Sequence, residues 1–350
     1  MTSQTHKVAV ALSGGVDSAV AAALLLEQGW QVWGVHLNLT SAGPPGDHLE
    51  AVARGLGIPL LELDLQEEFT RGVLDYFVRE YFRGRTPNPC VTCNAAIKFG
   101  RLWEEVRARG ASHLATGHYA RLKAGPGGGW TLYRGVDRHK DQSYFLSRLP
   151  RELLPNLLFP LGEMTKKEVK ARYQELGLPL GADCEESQEL CFVPQGRYHA
   201  FLHAHRGHPG APGDLVNTQG RVLGRHRGLE YYTVGQRRGL GVASGEPYYV
   251  VALNPETNRV VLGRLGDLLS AGLRACQVNW LIDPPQGELE AQAVIRYRHS
   301  GVAARIIPLG PTEVKVTFAT PQKAVAPGQA VAFYQNDLLL GGGWIEEGIS

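Results

Sequence analysis

The chain has 350 residues, of which 43% are hydrophobic and 20% charged, with a net charge of +2. That is room for two or three cores in an ordinary globular composition, and five cysteines (Cys90, Cys93, Cys184, Cys191, Cys276) are too few for a disulfide scaffold. The start "MTSQTHK" is polar and the apolar run Ala19–Leu26 is far too short to cross a bilayer, so a cytoplasmic protein without a leader or membrane partner is expected, as a monomer.

In chain order, Val8–Leu12 reads as a buried strand and Ser18–Gln28 as a helix closed by Gly29. Gln31–Leu37 is a second strand, Gly46–Leu56 a helix and Leu60–Leu63 a short strand. "EEFTRGVLDYFVREYF" places Phe69, Val73, Phe77 and Tyr81 on one helical face. After a proline-broken loop, "NAAIKFGRLWEEVRARG" is a helix and "SHLATGH" a strand. This alternation predicts an α/β fold with a doubly wound parallel sheet at the N-terminus. "LKAGPGGGWTLYRG" reads as a hairpin around a surface loop, and Thr165 with Glu168 forms a capping box for a helix that ends at Gly177. From about Gly210 short runs such as "PYYVVAL", "EVKVTFA" and "QAVAFY" predict a small β-rich domain followed by a β-barrel. The expected domains are residues 1–195, with a helical insertion at about 145–195, then 196–268 and 269–350.

Charge is uneven. Arg197–Arg238 holds seven arginines against Asp214 and Glu230, a net +5, together with five histidines. Tyr198, Phe201, Tyr231 and Tyr232 are interleaved with them, a pattern that fits a nucleic-acid surface.

Two motifs carry chemistry. "SGGVDS", between the first strand and first helix, has neither the lysine of a Walker loop nor the spacing of a dinucleotide fingerprint. A glycine turn entering a helix still gathers backbone N–H groups at the positive end of a helix dipole, an anion site. Ser13, Ser18 and the N–H groups of Gly14 and Gly15 are its expected donors, and Asp17 is expected to bind Mg²⁺ or hold the loop. "TPNPCVTCN" sets Cys93 where a loop is expected to enter a helix, a position that favours thiolate. "SQELCFVP" presents Cys191 beside an apolar run, Cys276 reads as core and Cys184 as incidental.

"SGGVDS" resembles the pyrophosphate loop of the PP-loop ATP pyrophosphatase superfamily. Together with "TPNPCVTCN", "ATGHY", "KDQSYFL", "SQELCFVP" and "GQRRGLG" in that order, it makes nearly the whole chain similar to the bacterial tRNA-specific 2-thiouridylase family. The resemblance implies a tRNA sulfurtransferase. ATP adenylates O2 of wobble uridine 34 in the tRNAs for Lys, Glu and Gln, and sulfur then displaces AMP at C2. It implies an ATP site at Ala11, Leu12, Ser13, Gly14, Gly15, Val16, Asp17, Ser18, Leu37 and Gly117, with Asp17 also serving catalysis. It implies Cys93 as nucleophile and Cys191 as persulfide carrier, able to form a disulfide with each other. Asn88, Pro89 and Cys90 match positions beside the target base, and His118, Lys140, Asp141, Gln142, Arg296, Tyr297 and Gln329 match tRNA contacts, as does the insertion at about 145–195.

Many family members carry Asp where this chain has Cys90. Cys90, Cys93 and Cys191 therefore leave a second route open, a [4Fe–4S] cluster with one unliganded iron that passes on sulfide. The donor is either a sulfur-relay protein or free sulfide.

Overall fold

In a computed structural model the described residues are 6–40, 47–125, 128–179, 190–193 and 198–350; Cys184 and most of the expected insertion's end lie outside them. The chain divides into two compact units.

The first unit comprises residues 1–72, 90–188 and 336–340. Strands β1 (Lys7–Ala11), β2 (Gln31–Asn38), β3 (Leu60–Asp64) and β4 (His113–Ala115) are followed by a hairpin, β5 (Ala120–Ala124) and β6 (Trp130–Arg134), and by β7 (Leu157–Leu158). The parallel sheet runs β3-β2-β1-β4-β7, so the chain reverses direction of winding after β3 and the switch falls between β1 and β4. Ligands of such sheets bind outside the carboxyl ends of the strands at that crevice. Helices α1 (Val16–Glu27) and α2 (Asp47–Leu56) cover it, with a short helix α3 (Gln66–Phe69) after β3. Val8, Val10, Leu12, Ala22 and Leu25 form one core layer, and Ala19, Val20, Tyr119, Val169 and Tyr173 another. Of the helix predicted over "EEFTRGVLDYFVREYF", the stretch Thr70–Leu74 is π-helical, and the remainder, α4 (Asp75–Phe82), belongs to the second unit.

The cysteine-bearing helix departs from expectation. It starts at Pro89 rather than near Cys93: α5 (Pro89–Cys93) leads into a π-helical stretch Asn94–Arg101 and then α6 (Leu102–Ala108). Proline at the first helical position loses no hydrogen bond and has φ already set, which is why the helix opens there. The capping box holds as expected: Thr165 Oγ1 accepts from Glu168 N and Glu168 accepts from Thr165 N, starting α7 (Lys166–Glu175).

The second unit comprises residues 73–89, 189–335 and 341–350. Helix α8 (Tyr198–Arg206) packs on α4 through Phe77, Val78 and Leu202. Strands β8 (Gly213–Asn217), β9 (Val222–His226), β10 (Tyr249–Asn254) and β11 (Arg259–Gly263) make a four-stranded sheet in the order β10-β11-β8-β9. The antiparallel barrel is built from β12 (Leu269–Trp280), β13 (Leu289–Val294), β14 (Val302–Gly310), β15 (Glu313–Lys323), β16 (Ala330–Gln335) and β17 (Leu338–Ile349). Pairing of β12 with β17 over Gly272–Trp280 closes it. No helix among the described residues is long and apolar enough to cross a membrane.

Candidate active site

The loop between β1 and α1 lies at the switch point. Its closeness to the helix is secured by its own side chains. Ser18, buried, donates its hydroxyl to Gly15 O at 3.0 Å and accepts from Ser13 N at 3.2 Å. The Ser18 proton is thus turned into the loop, while Ser13 stays exposed. Gly14 has φ +78°, a conformation glycine adopts without a Cβ clash. Two histidines brace the loop, one from α2 and one from β2: His48 Nε2 donates to Gly14 O at 2.9 Å and His36 Nδ1 to Leu12 O at 3.2 Å. Gly117, at the end of β4, is needed for packing. A Cβ there would lie 2.9 Å from Asp17 C and 3.0 Å from Ser18 N. Leu37 sits near the end of β2, half-buried and in register with Leu63.

Asp17 is the centre of the site's electrostatics. Lys166 Nζ lies 2.7 and 2.8 Å from its two carboxylate oxygens, and the Tyr119 hydroxyl donates to Oδ1 at 2.7 Å. Lys166 is the first residue of α7, which packs against α1, and its side chain is 14% exposed. The carboxylate therefore anchors an ammonium at the mouth of the loop. Lys166 and Tyr119 escaped the sequence reading. The one signal was that the capping box fixes where α7 starts and so where Lys166 points.

His118 is a core group. It is 9% exposed, its Nδ1 is 2.7 Å from Thr116 Oγ1, and its ring lies between Phe99 and Phe159. Burial, reinforced by the nearby charge of Lys98, pushes its pKa down to about 3, so the ring is neutral.

Cys90 is exposed and Cys93 is 7% exposed, one turn apart on α5. The i, i+3 spacing puts both thiols on one helical face. Cys90, rather than Cys93, is in the first turn. The loop that delivers them is fastened within the second unit. Thr86 N donates to Pro327 O at 2.8 Å, Gln329 Nε2 donates to Thr86 O at 3.1 Å and Pro87 O at 3.4 Å, and Arg85 Nη2 donates to Ile345 O. Asn88 and Pro89 are buried. Cys191 is exposed, while its neighbours Leu190 and Phe192 pack on Phe77, Val78 and Leu202. Two apolar anchors thus flank an outward thiol. Cys276, expected in the core, is half-buried in β12.

The comparisons complete these observations. Residues 6–195 match the family model described as "tRNA methyl transferase HUP domain", 199–264 the "tRNA methyl transferase PRC-barrel domain" and 270–345 the "Aminomethyltransferase beta-barrel domain". The chain is 48% identical to the tRNA-specific 2-thiouridylase MnmA of Carboxydothermus hydrogenoformans, covering 97% of this chain and 98% of that one. It is 46% identical to the protein of the same name from Geobacter metallireducens, covering 99% and 98%, and 46% to that of Syntrophotalea carbinolica, covering 99% and 100%. The chain belongs to the tRNA-specific 2-thiouridylase MnmA family.

Of the residues expected to contact tRNA, Asp141 and Gln142 also hold the fold together through hydrogen bonds. Asp141 is buried and accepts from Gly135 N, Ser143 N and Ser143 Oγ, with Arg134 3.3 Å away. Gln142 accepts from Tyr119 N at 3.0 Å and so ties the "KDQS" turn to the end of β4. Lys140 precedes them, half-buried. Arg296 is exposed and Tyr297 half-buried after β13. The expectation that aromatics interleaved with Arg197–Arg238 face nucleic acid is corrected: Tyr198 and Phe201 pack in the α4–α8 cluster and Tyr231 and Tyr232 against the core of the four-stranded sheet. Apolar burial claims these rings. Arg206, Arg221, Arg225, Arg227, Arg237 and Arg238 remain exposed.

Proposed function

We propose that the chain adenylates O2 of wobble uridine 34 in the tRNAs for Lys, Glu and Gln with ATP, and then installs sulfur at C2, acting in the cytoplasm. The observation that carries this reading is Lys166 held at the opening of the phosphate loop by Asp17, whose carboxylate also accepts from the Tyr119 hydroxyl. Attack of the uridine O2 on the α-phosphorus expels pyrophosphate. Its growing negative charge meets the loop N–H groups, the Ser13 hydroxyl and an ammonium already in position, which lowers the barrier without reorganisation at that moment. Asp17, whose two oxygens hold Lys166, is the loop carboxylate that would meet a Mg²⁺ bound with ATP, and the ion would neutralise phosphate charge there.

Adenylation makes the C2 oxygen a leaving group. A persulfide on Cys191 supplies sulfur that attacks C2, AMP departs with the oxygen, and Cys93 thiolate attacks the remaining S–S bond. The products are 2-thiouridine and a Cys93–Cys191 disulfide, which a thiol reductant reopens. His118, neutral, serves tRNA binding from within the core, and Asn88, Pro89 and Cys90 serve the target base. Lys140, Arg296, Tyr297 and Gln329 serve tRNA docking directly or through the turns they hold.

A [4Fe–4S] cluster on Cys90, Cys93 and Cys191 is the alternative sulfur route. Among the described residues no three His, Cys, Asp or Glu side chains form a metal-holding group. Iron and acid-labile sulfide in anaerobically purified protein discriminate the routes. The reaction itself is tested by following AMP, pyrophosphate and nucleoside products from a tRNA transcript. Release of AMP that requires tRNA, with 2-thiouridine formed, supports it; uridine methylated from S-adenosylmethionine, as the family model's description would have it, refutes it.

A further inference from the structure

Beside the seam of α4 and α8, in the second unit, lies an open groove of about 450 Å³ lined by Asp75, Arg79, Phe82, Arg83, His205 and Arg206. Its acids are already engaged. Asp75 lies 2.7 Å from His205 Nε2. The buried carboxylate of Glu80 holds Arg85 at 2.9 Å, with Arg83 and Arg79 farther off at 3.5 and 3.7 Å. Arg79 and Arg83 nonetheless keep 52% and 62% of their side chains exposed. The Arg206 guanidinium lies 3.9 Å over the Phe82 ring, which fixes its plane without consuming its N–H donors. Three oriented, exposed guanidiniums in one groove form a match for phosphate oxygens, whose contacts set register and carry no sequence information.

Position along the chain narrows the ligand. Arg83 precedes Asn88 by five residues, a span of at most about 18 Å. The intervening Thr86 and Pro87 are pinned by Gln329 and Pro327. A polyanion whose reactive base lies at Asn88–Cys90 therefore has backbone phosphates within reach of the groove.

We infer that the α4–α8 groove grips the phosphodiester backbone of the tRNA next to the nucleotide being modified, through Arg79, Arg83 and Arg206. This rests on the tRNA reading above. The test is binding of the full-length chain to a tRNA transcript by fluorescence anisotropy over a series of salt concentrations. For the double variant Arg79→Gln/Arg83→Gln we expect Kd to rise about tenfold and the slope of log K against log salt to become shallower by about 1.5 to 2; for Arg206→Gln the slope should drop by about 1. Thiolation kcat at saturating tRNA should stay unchanged while KM for tRNA rises. Arg79→Lys/Arg83→Lys, keeping the charges, should recover most of the affinity. Arg305→Gln, which removes an exposed charge beside Glu288 in the barrel, should match wild type. Wild-type affinity and slope in the double glutamine variant overturn the groove while leaving the tRNA reading intact, as does an equal loss in Arg305→Gln. Wild-type protein that binds no tRNA overturns both.

Discussion

The phosphate loop and the cysteine loop are secured in opposite ways. Ser13–Ser18 is closed by bonds within six residues, braced by His36 and His48. The loop at Thr86–Pro87 is held from far along the chain: Pro327, Gln329 and Ile345, more than 240 positions away, fasten Arg85, Thr86 and Pro87. A motif of the first kind is complete in its local sequence. One of the second kind depends on residues from the far end of the chain.

The largest effect that would break this comparison is at the thiols. Cys93→Ala and Cys191→Ala should each lower 2-thiouridine formation at least about thousandfold with tRNA binding within twofold of wild type, read by nucleoside mass spectrometry and anisotropy. Thiolation at wild-type rates in either variant removes the sulfur scheme.

At the phosphate loop, Lys166→Ala should slow tRNA-dependent AMP release about 100- to 1000-fold, the cost of losing a preorganised charge. Tyr119→Phe, which leaves the ammonium in place, should cost only about fivefold, near 1 kcal/mol. Equal effects from the two would mean that Lys166 acts only through the fold.

His118 sharpens the contrast through stability. Its pKa in the fold is about 3 against an unfolded value of about 6.5, so protons bind the unfolded chain first. The contribution from burying the neutral ring is complete above pH 6.5 and is lost as pH falls toward 3. Between pH 7 and pH 5 unfolding free energy should decline by about 2 kcal/mol from this residue. Denaturant titrations of His118→Gln should show that slope removed; an unchanged slope contradicts a neutral buried imidazole.

A smaller effect than at Lys166 is expected at Gln329. Gln329→Ala removes two bonds to the cysteine loop, together about 1 to 2 kcal/mol, and should lower thiolation kcat about tenfold with KM for ATP unchanged. A rise in KM for tRNA with kcat intact would make it a direct RNA contact instead.

What could be read from sequence follows the same division. The strand–loop–helix at Val8–Gln28, the parallel sheet and the Thr165 cap rest on neighbours a few residues apart, and periodicity reveals them. Lys166 was hidden because its partner Asp17 is 149 residues away. The start of α5 falls earlier than the proline-broken loop suggests, because proline suits a first helical turn as well as a loop. Tyr198, Phe201 and Tyr232 alternate with basic residues along the chain, and only the packing of α8 on α4 and of the four-stranded sheet shows that the rings turn inward and the arginines outward. Asp141 and Gln142 look like surface polar residues until the turn they organise is seen.

The most direct test of the central claim is stoichiometry: full-length protein, a tRNA transcript, labelled ATP and a persulfide donor, with AMP and 2-thiouridine counted in the same reaction. The account predicts one AMP per 2-thiouridine and no AMP without tRNA. AMP released without tRNA, or 2-thiouridine formed without AMP, would contradict it.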